Sequence, residues 1–352
     1  MESKKAPSGD RHIGFLDTIR GFLAFWVYYG HLKMAAIGKD VLWGSPAIAV
    51  DGFMLLSGFL MAYHWVNREI RFSSFWAQAK DFYIRRFFRI APLYYFSLTI
   101  ALFWQDRFET IKNSVFNIVP PDWWGAVIVL DNPDFQTTTL GNILSHYSFA
   151  FGLIPKYVNS NILPDWSIGL EMQFYLLFPF LTLFLARFGS ITTTFVVFLT
   201  TIIANKFIGL YDHVGLIARY PQPSLILFKL NIFLVGMTIA FAYLSKDQKT
   251  KGSWLILGLL SLFNAKIQVF IIFAIMVLML FFDEDSKDFM AKVGSWKISK
   301  FVGETSYGLY LIHLMVLFPI LHFLFQKDWF LNLSIYPRLL VSLVIISPLA
   351  YG

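Results

Sequence analysis

The sequence predicts an all-α protein, a polytopic bundle of about ten transmembrane helices with both termini in the cytoplasm. Three observations predict it. Hydrophobic residues make up 57% of the 352-residue chain and charged residues only 14%, with a mean hydropathy of +0.60. That is more apolar surface than a soluble chain of this size can bury. The apolar residues run in stretches of roughly 20, the length that crosses a hydrocarbon core of about 30 Å. Lys and Arg collect between alternate stretches, as the bias for positive cytoplasmic loops requires.

The elements follow in order. Residues 1–12 form a polar N-terminus without a signal peptide's apolar run and small-residue cleavage site, so the first apolar stretch is expected to remain as a helix. Spans are expected near 13–32, 46–66, 88–105, 164–187, 190–210, 224–245, 252–265, 267–282, 300–326 and 334–352. The seventh and eighth are short enough to be tilted or fused. Residues 140–153 carry Asn142, Ser145, His146 and Ser148 and read as interfacial or re-entrant. The cations Lys4, Lys5 and Arg11 precede the first span, and Arg68, Arg71, Lys80, Arg85, Arg86 and Arg89 precede the third. Lys246, Lys249 and Lys251 follow the sixth, while Lys287, Lys292, Lys297 and Lys300 follow the eighth, which keeps the same parity. The segment from Gln105 to Pro164 is then external, with Pro120, Pro121, Trp123 and Trp124 suited to the interface. Residues 1–352 read as a single transmembrane domain with no appended soluble domain.

The net charge of +7 does not point to nucleic acid, because the basic residues lie in short loops between apolar segments. The absence of cysteine excludes disulfides, zinc thiolates and a cysteine nucleophile, and no metal is expected. Nothing in the sequence sets an oligomeric state.

Ionisable groups inside spans are costly unless paired or hydrated, so each is a candidate for function. Asp17 and Arg20, three residues apart, suit a structural ion pair along one helix side. Arg20 and His31 lie eleven apart on one face, about 16 Å along the axis. His31, at the external end of its span, is either an interfacial residue or the general base for a hydroxyl. Asp51 opens the second span on the same side, followed by Ser57, a packing or hydrogen-bonding residue. Glu171 lies one to two turns into the fourth span, after Trp166, and needs a partner. His31, Asp51 and Glu171, all toward the external half, form the candidate catalytic set. Arg86 and Arg89 can project together from one turn, as membrane anchors or as a phosphate clamp. Ser306, Tyr310 and His313 share one face of the ninth span, as a polar seam that is structural or functional.

Five blocks, in order, resemble the membrane acyltransferase family 3, bacterial O-acyltransferases of surface glycans and related acceptors. They are Leu16-Asp17-Thr18-Ile19-Arg20-Gly21 through His31; Val50-Asp51-Gly52-Phe53 with Ser57-Gly58-Phe59-Leu60; Arg86 through Arg89 to Pro92; Trp166-Ser167 through Glu171 to Pro179; and Ser306-Tyr307 through His313. The resemblance runs from about Phe15 to Leu349. It implies a cytoplasmic acyl-CoA donor, usually acetyl-CoA, and a hydroxyl acceptor outside, with the chain in a bacterial inner membrane. Under it, Arg86 and Arg89 hold the donor phosphates, Arg20 assists deeper in the membrane, and His31 deprotonates the acceptor. Asp51 or Glu171 then orients His31, and Asp17, Ser57, Trp166, Ser306, Tyr307, Tyr310 and His313 serve substrate or structure. The competing reading is a transporter or flippase of a lipid-linked sugar or acyl group. The lack of an internal repeat tells against it.

Overall fold

The computed structural model describes residues 14–38, 45–69, 72–119, 139–210, 218–263, 265–281 and 292–351. Lys4, Lys5, Arg11, Arg71, Pro120, Pro121, Trp123, Trp124, Lys287 and Gly352 lie outside the described residues.

Helices α1 (Gly14–Ile37) and α2 (Pro46–Glu69) come first, the second opening on a proline, whose missing N–H costs nothing at a helix start. Ser74 then caps α3 (Phe75–Phe103) by accepting the Ala77 N–H at 3.3 Å. The chain bends by 77° into α4 (Gln105–Ile118). Thr139 caps the short α5 (Leu140–Tyr147). Helix α6 (Trp166–Phe207) spans 42 residues and breaks at Gly189, whose φ of 81° a side chain would resist. Then follow α7 (Leu230–Leu244), α8 (Gln248–Ser261), α9 (Ile267–Phe281), α10 (Lys297–Leu324), α11 (Asp328–Leu331) and α12 (Ile335–Tyr351). Among the described residues, extended pairing is confined to Gly209–Leu210 against Arg219–Tyr220.

Segments Pro46–Arg68, Trp166–Phe207 and Lys297–Leu324 are each long and apolar enough to cross a membrane, and the bent α3–α4 pair qualifies as one further unit. Helices α7, α9 and α12 are shorter and apolar. Phe96, Phe103, Ile191, Leu340 and Val344 point outward and exposed, as side chains facing a lipid solvent would, and the helical form pairs most backbone groups within each segment, which is what that solvent demands. The chain is an all-α membrane protein.

Two expected boundaries shift, and the expected non-spanning segment 140–153 stays short of a span. The third helix starts at Phe75, not near 88, so Arg85, Arg86 and Arg89 sit inside it rather than ahead of it. The Ser74 cap and the Asp81–Arg85 ion pair, one turn apart, carry the helix through this polar stretch. The expected fourth and fifth spans form one helical run broken at Gly189. Residues 140–153 give one eight-residue helix and a 3-10 turn, about 12 Å of α-helix and too short to cross.

Two close crossings fix the bundle. A Cβ on Gly58 of α2 would overlap the Phe233 carbonyl oxygen, and one on Gly236 of α7 would overlap that of Leu55. A Cβ on Gly21 of α1 would meet Val302, and one on Gly303 of α10 would meet Asp17. Small residues let apolar helices gain dispersion contact where no hydrophobic drive separates helix from lipid. Beside the first crossing, Phe174 stacks on Phe233 at 4.0 Å, both fully buried.

Candidate active site

A cavity of about 610 Å³ lies between α1, α2, α3, α6, α7 and α10. Its charged walls come from Asp17 and Arg20 of α1, Arg86 and Arg89 of α3, Glu171 of α6, and Lys300 and Glu304 of α10. Four cations face three carboxylates, so the cavity carries a small positive excess. Arg20 Nη1 lies 3.3 Å from Asp17 Oδ1, the ion pair that their three-residue spacing favours. Glu171 Oε1 accepts from Ser57 Oγ at 3.0 Å and from Tyr175 OH at 2.6 Å. Arg86 lies over the rings of Phe82 and Tyr175, 5.7 and 5.6 Å from their centroids, which holds the guanidinium in place without neutralising it.

Away from Lys300, the lining reaches Tyr310 and Ser167, about 15 Å further along α10. Tyr310 donates its single proton to the Pro164 carbonyl at 2.8 Å, so the Ser167 hydroxyl donates to Tyr310 at 2.5 Å. Tyr307 donates to the Ile90 carbonyl at 3.0 Å. Ser306 spends its hydroxyl on the Gly303 carbonyl of its own helix, and Trp166 opens α6, largely buried.

One helical turn beyond Tyr310 stands His313, fully buried, with its Nε2 3.0 Å from His31 Nδ1. The hydrogen bonds fix the tautomers of a neutral pair. His313 Nδ1 faces the carbonyls of Tyr310 at 2.8 Å and Leu309 at 3.1 Å, which only accept, so this nitrogen bears the proton. His313 Nε2 therefore offers a lone pair, and His31 Nδ1 donates to it. His31 Nε2 is left as the unprotonated nitrogen, the form a general base needs. Tyr28 braces the pair, edge-on to the His313 ring at 6.2 Å and hydrogen-bonded to Ser347 at 3.0 Å.

The expected meeting of His31, Asp51 and Glu171 gives way to a different arrangement. Asp51 pairs with Lys229 at 2.7 Å and lines a separate cavity of about 310 Å³. Glu171 faces the arginines, and His31 has His313 as its partner. Equal depth in the membrane does not imply equal azimuth: six residues of helix turn Asp51 about 120° away from Ser57, which contacts Glu171. Lys229, Lys300 and Glu304 were not singled out as site residues, although Lys229 lies inside the expected span 224–245 and Lys300 and Glu304 lie in the first turns of 300–326. The Glu171–Tyr175 bond was accessible, because their four-residue spacing puts both on one face. Among the described residues, no group of three or more His, Cys, Asp or Glu side chains could hold a metal ion.

The sequence profile of a family described as an acyltransferase domain matches residues 13–352. The chain belongs to acyltransferase family 3. Among characterised relatives it is similar to the peptidoglycan O-acetyltransferase OatA of Listeria monocytogenes, with 25% identity across 86% of this chain and 49% of that protein. A second similarity, 27% identity over 47% of this chain and 29% of the other, is to the regulator of hypoxia-inducible factor 1 of Caenorhabditis elegans. The chain thus spans half or less of the length of each. No solved structure matches it. The family match encloses both walls of the cavity and both histidines, so cavity and histidine pair belong to the acyltransferase domain itself.

Proposed function

We propose that this chain is a membrane O-acyltransferase that moves an acyl group, acetyl in the simplest case, from acyl-CoA to a hydroxyl of an extracytoplasmic carbohydrate. One observation carries the reading: a cavity with three arginines along it ends one helical turn from a histidine pair whose outer nitrogen is free to take a proton. Its volume falls within the ~300–1,000 Å³ usual for ligand pockets. Guanidinium forks suit the donor's phosphates, so Arg86 and Arg89 hold them, Arg20 sits deeper along the acyl arm, and the thioester lies toward Tyr310 and Ser167. The acceptor enters from the other side. His31 Nε2 takes the proton of its hydroxyl, the oxygen attacks the thioester carbonyl, the C–S bond breaks, and the departing thiolate recovers the proton from His31. His313 holds His31 in the required tautomer.

The acceptor class is a surface polysaccharide, with peptidoglycan brought forward by the similarity to OatA and lipopolysaccharide O-antigen or capsule offering the same hydroxyl chemistry. The reading places the chain in a bacterial cytoplasmic membrane, with about ten spans and both termini inside. The test is release of free CoA from acetyl-CoA by the purified protein in lipid with a crude surface-glycan fraction. Wild type releases CoA and His31→Ala loses at least 10²-fold, the usual contribution of a positioned base being about 10²–10⁴. Unchanged release by the variant would remove His31 as base. Failure of the wild type with every donor would favour a transport role, in which no CoA is consumed.

A further inference from the structure

Helix α2 has a cavity on each of two faces. Val50, Met54 and Ser57 line the acyl-transfer cavity, whereas Ala47, Ile48 and Asp51 line the second one, of about 310 Å³. The other walls of the second cavity come from the end of α6, the start of α7 and the link between α8 and α9. These ends lie where α1 finishes: Gly30, next to His31, packs against Pro46 at the head of α2. The second cavity thus opens at the end of the bundle that carries His31, away from Lys300.

Its polar groups outnumber their partners. Asp51, nearly buried, meets the Lys229 ammonium with both carboxylate oxygens, at 2.7 and 3.0 Å. Among the described residues no other side chain joins that pair, yet a carboxylate has about four lone-pair sites and an ammonium three hydrogens. Asn231, also nearly buried, donates to the Ser261 carbonyl at 3.1 Å, and its Oδ1 meets no donor among the described residues. At the rim Phe263 is 58% exposed and packs edge-on to Phe198 at 5.4 Å, with the exposed Asn205 beside it in the lining. Buried polar groups short of partners are costly. A sugar relieves that cost, because its hydroxyls both donate and accept while its C–H face lies against an aromatic ring. An apolar chain would leave these groups unmatched, and a phosphate would sit against the Asp51 carboxylate.

We propose that this cavity holds a sugar of the acceptor other than the one being acylated, so that the acceptor is a glycan chain and not a free monosaccharide. The proposal rests on the acyltransferase reading and deepens it. The first turn of α2, with a helix's width of about 10–12 Å, stands between α1 and the cavity. A sugar at His31 and a sugar here are therefore parts of one chain laid across the head of α2. Binding at the remote sugar positions the reacting hydroxyl at His31.

The probe is the crude surface-glycan fraction, intact or hydrolysed to monosaccharides, offered with acetyl-CoA to the purified full chain in phosphatidylcholine nanodiscs. Wild type is compared with Phe263→Ala, a change on the exposed rim, and Asp51→Asn, which keeps the side chain's shape. Wild type is expected to favour the intact fraction by at least about 10-fold in kcat/KM, the worth of one or two good polar contacts. Each variant should raise the KM for the intact fraction about 10-fold and leave the KM for acetyl-CoA at the wild-type value, whereas a merely structural defect would move both. Equal use of polymer and monosaccharides by wild type, or an unchanged glycan KM in either variant, would overturn the proposal. Variants that keep the glycan KM and lose only a stabilisation by added phosphatidylethanolamine would overturn it in favour of a lipid headgroup. If wild type releases no CoA at all, binding of the intact fraction without donor decides by calorimetry: binding that both variants lose upholds the cavity while the acyltransferase reading falls, and binding that they keep, or none, overturns the cavity as well.

Discussion

Replacing His313 separates the two jobs that a histidine pair can do. In His313→Leu the His31 Nδ1–H loses the acceptor now 3.0 Å away, in a place where His313 itself is wholly enclosed. With the Val27 carbonyl still within reach of the His31 ring, the lost hydrogen bond is worth about 0.5–1.5 kcal/mol. Taken from the productive tautomer, that corresponds to a loss of roughly 2- to 13-fold at about 1.36 kcal/mol per decade. His313→Gln offers a carbonyl oxygen at similar reach and should hold the same tautomer, with activity within about threefold of wild type. His31→Ala should fall below both. The expected order is wild type, His313→Gln, His313→Leu, His31→Ala. Released CoA is read by thiol detection, for which a chain with no cysteine gives no background. If His313→Leu matches wild type while remaining folded, His313 does not set the state of His31. If His313→Gln is as weak as His31→Ala, His313 exchanges protons itself and the relay argument fails.

Two predictions concern stability. Gly236→Ala introduces a methyl group into the Leu55 backbone and should cost about 1–3 kcal/mol by overpacking, read as a lowered melting temperature in detergent; an unchanged melt would refute the close crossing of α2 and α7. Asp51→Leu strands the Lys229 ammonium, which is one-fifth exposed, and should cost roughly 2 kcal/mol, less than the ~3–5 kcal/mol of a fully buried pair. Adding Lys229→Met should recover most of that loss in the same melt, and simple additivity of the two changes would show that the pair does not couple.

Much of this arrangement was legible before the fold. Helical spacing alone put Asp17 beside Arg20 and let Arg86 and Arg89 emerge together, because both relations lie within one or two turns. Hydropathy located the apolar stretches, though it placed the start of α3 thirteen residues late: cations on one side of a helix lower the average without breaking the helix. The partners of His31 and Asp51 were not legible. They lie 282 and 178 residues away in sequence, and a one-dimensional reading supplies depth in the membrane but not the direction in which a helix face points. His313 had been singled out, yet only the packing of α1 on α10 brings it to His31.

That packing also sets a mechanical condition on the chemistry. Helices α1 and α10 touch backbone to backbone at Gly21 and Gly303, and each carries its histidine ten residues further on, about 15 Å from the contact. The two helices are therefore scissor blades of equal length with the imidazoles at their tips. Opening the blades by about 5° would part the tips by roughly 1.3 Å over such arms, enough to break a 3.0 Å hydrogen bond. The close contact at Gly21 and Gly303 is therefore what keeps the two imidazoles within reach of each other.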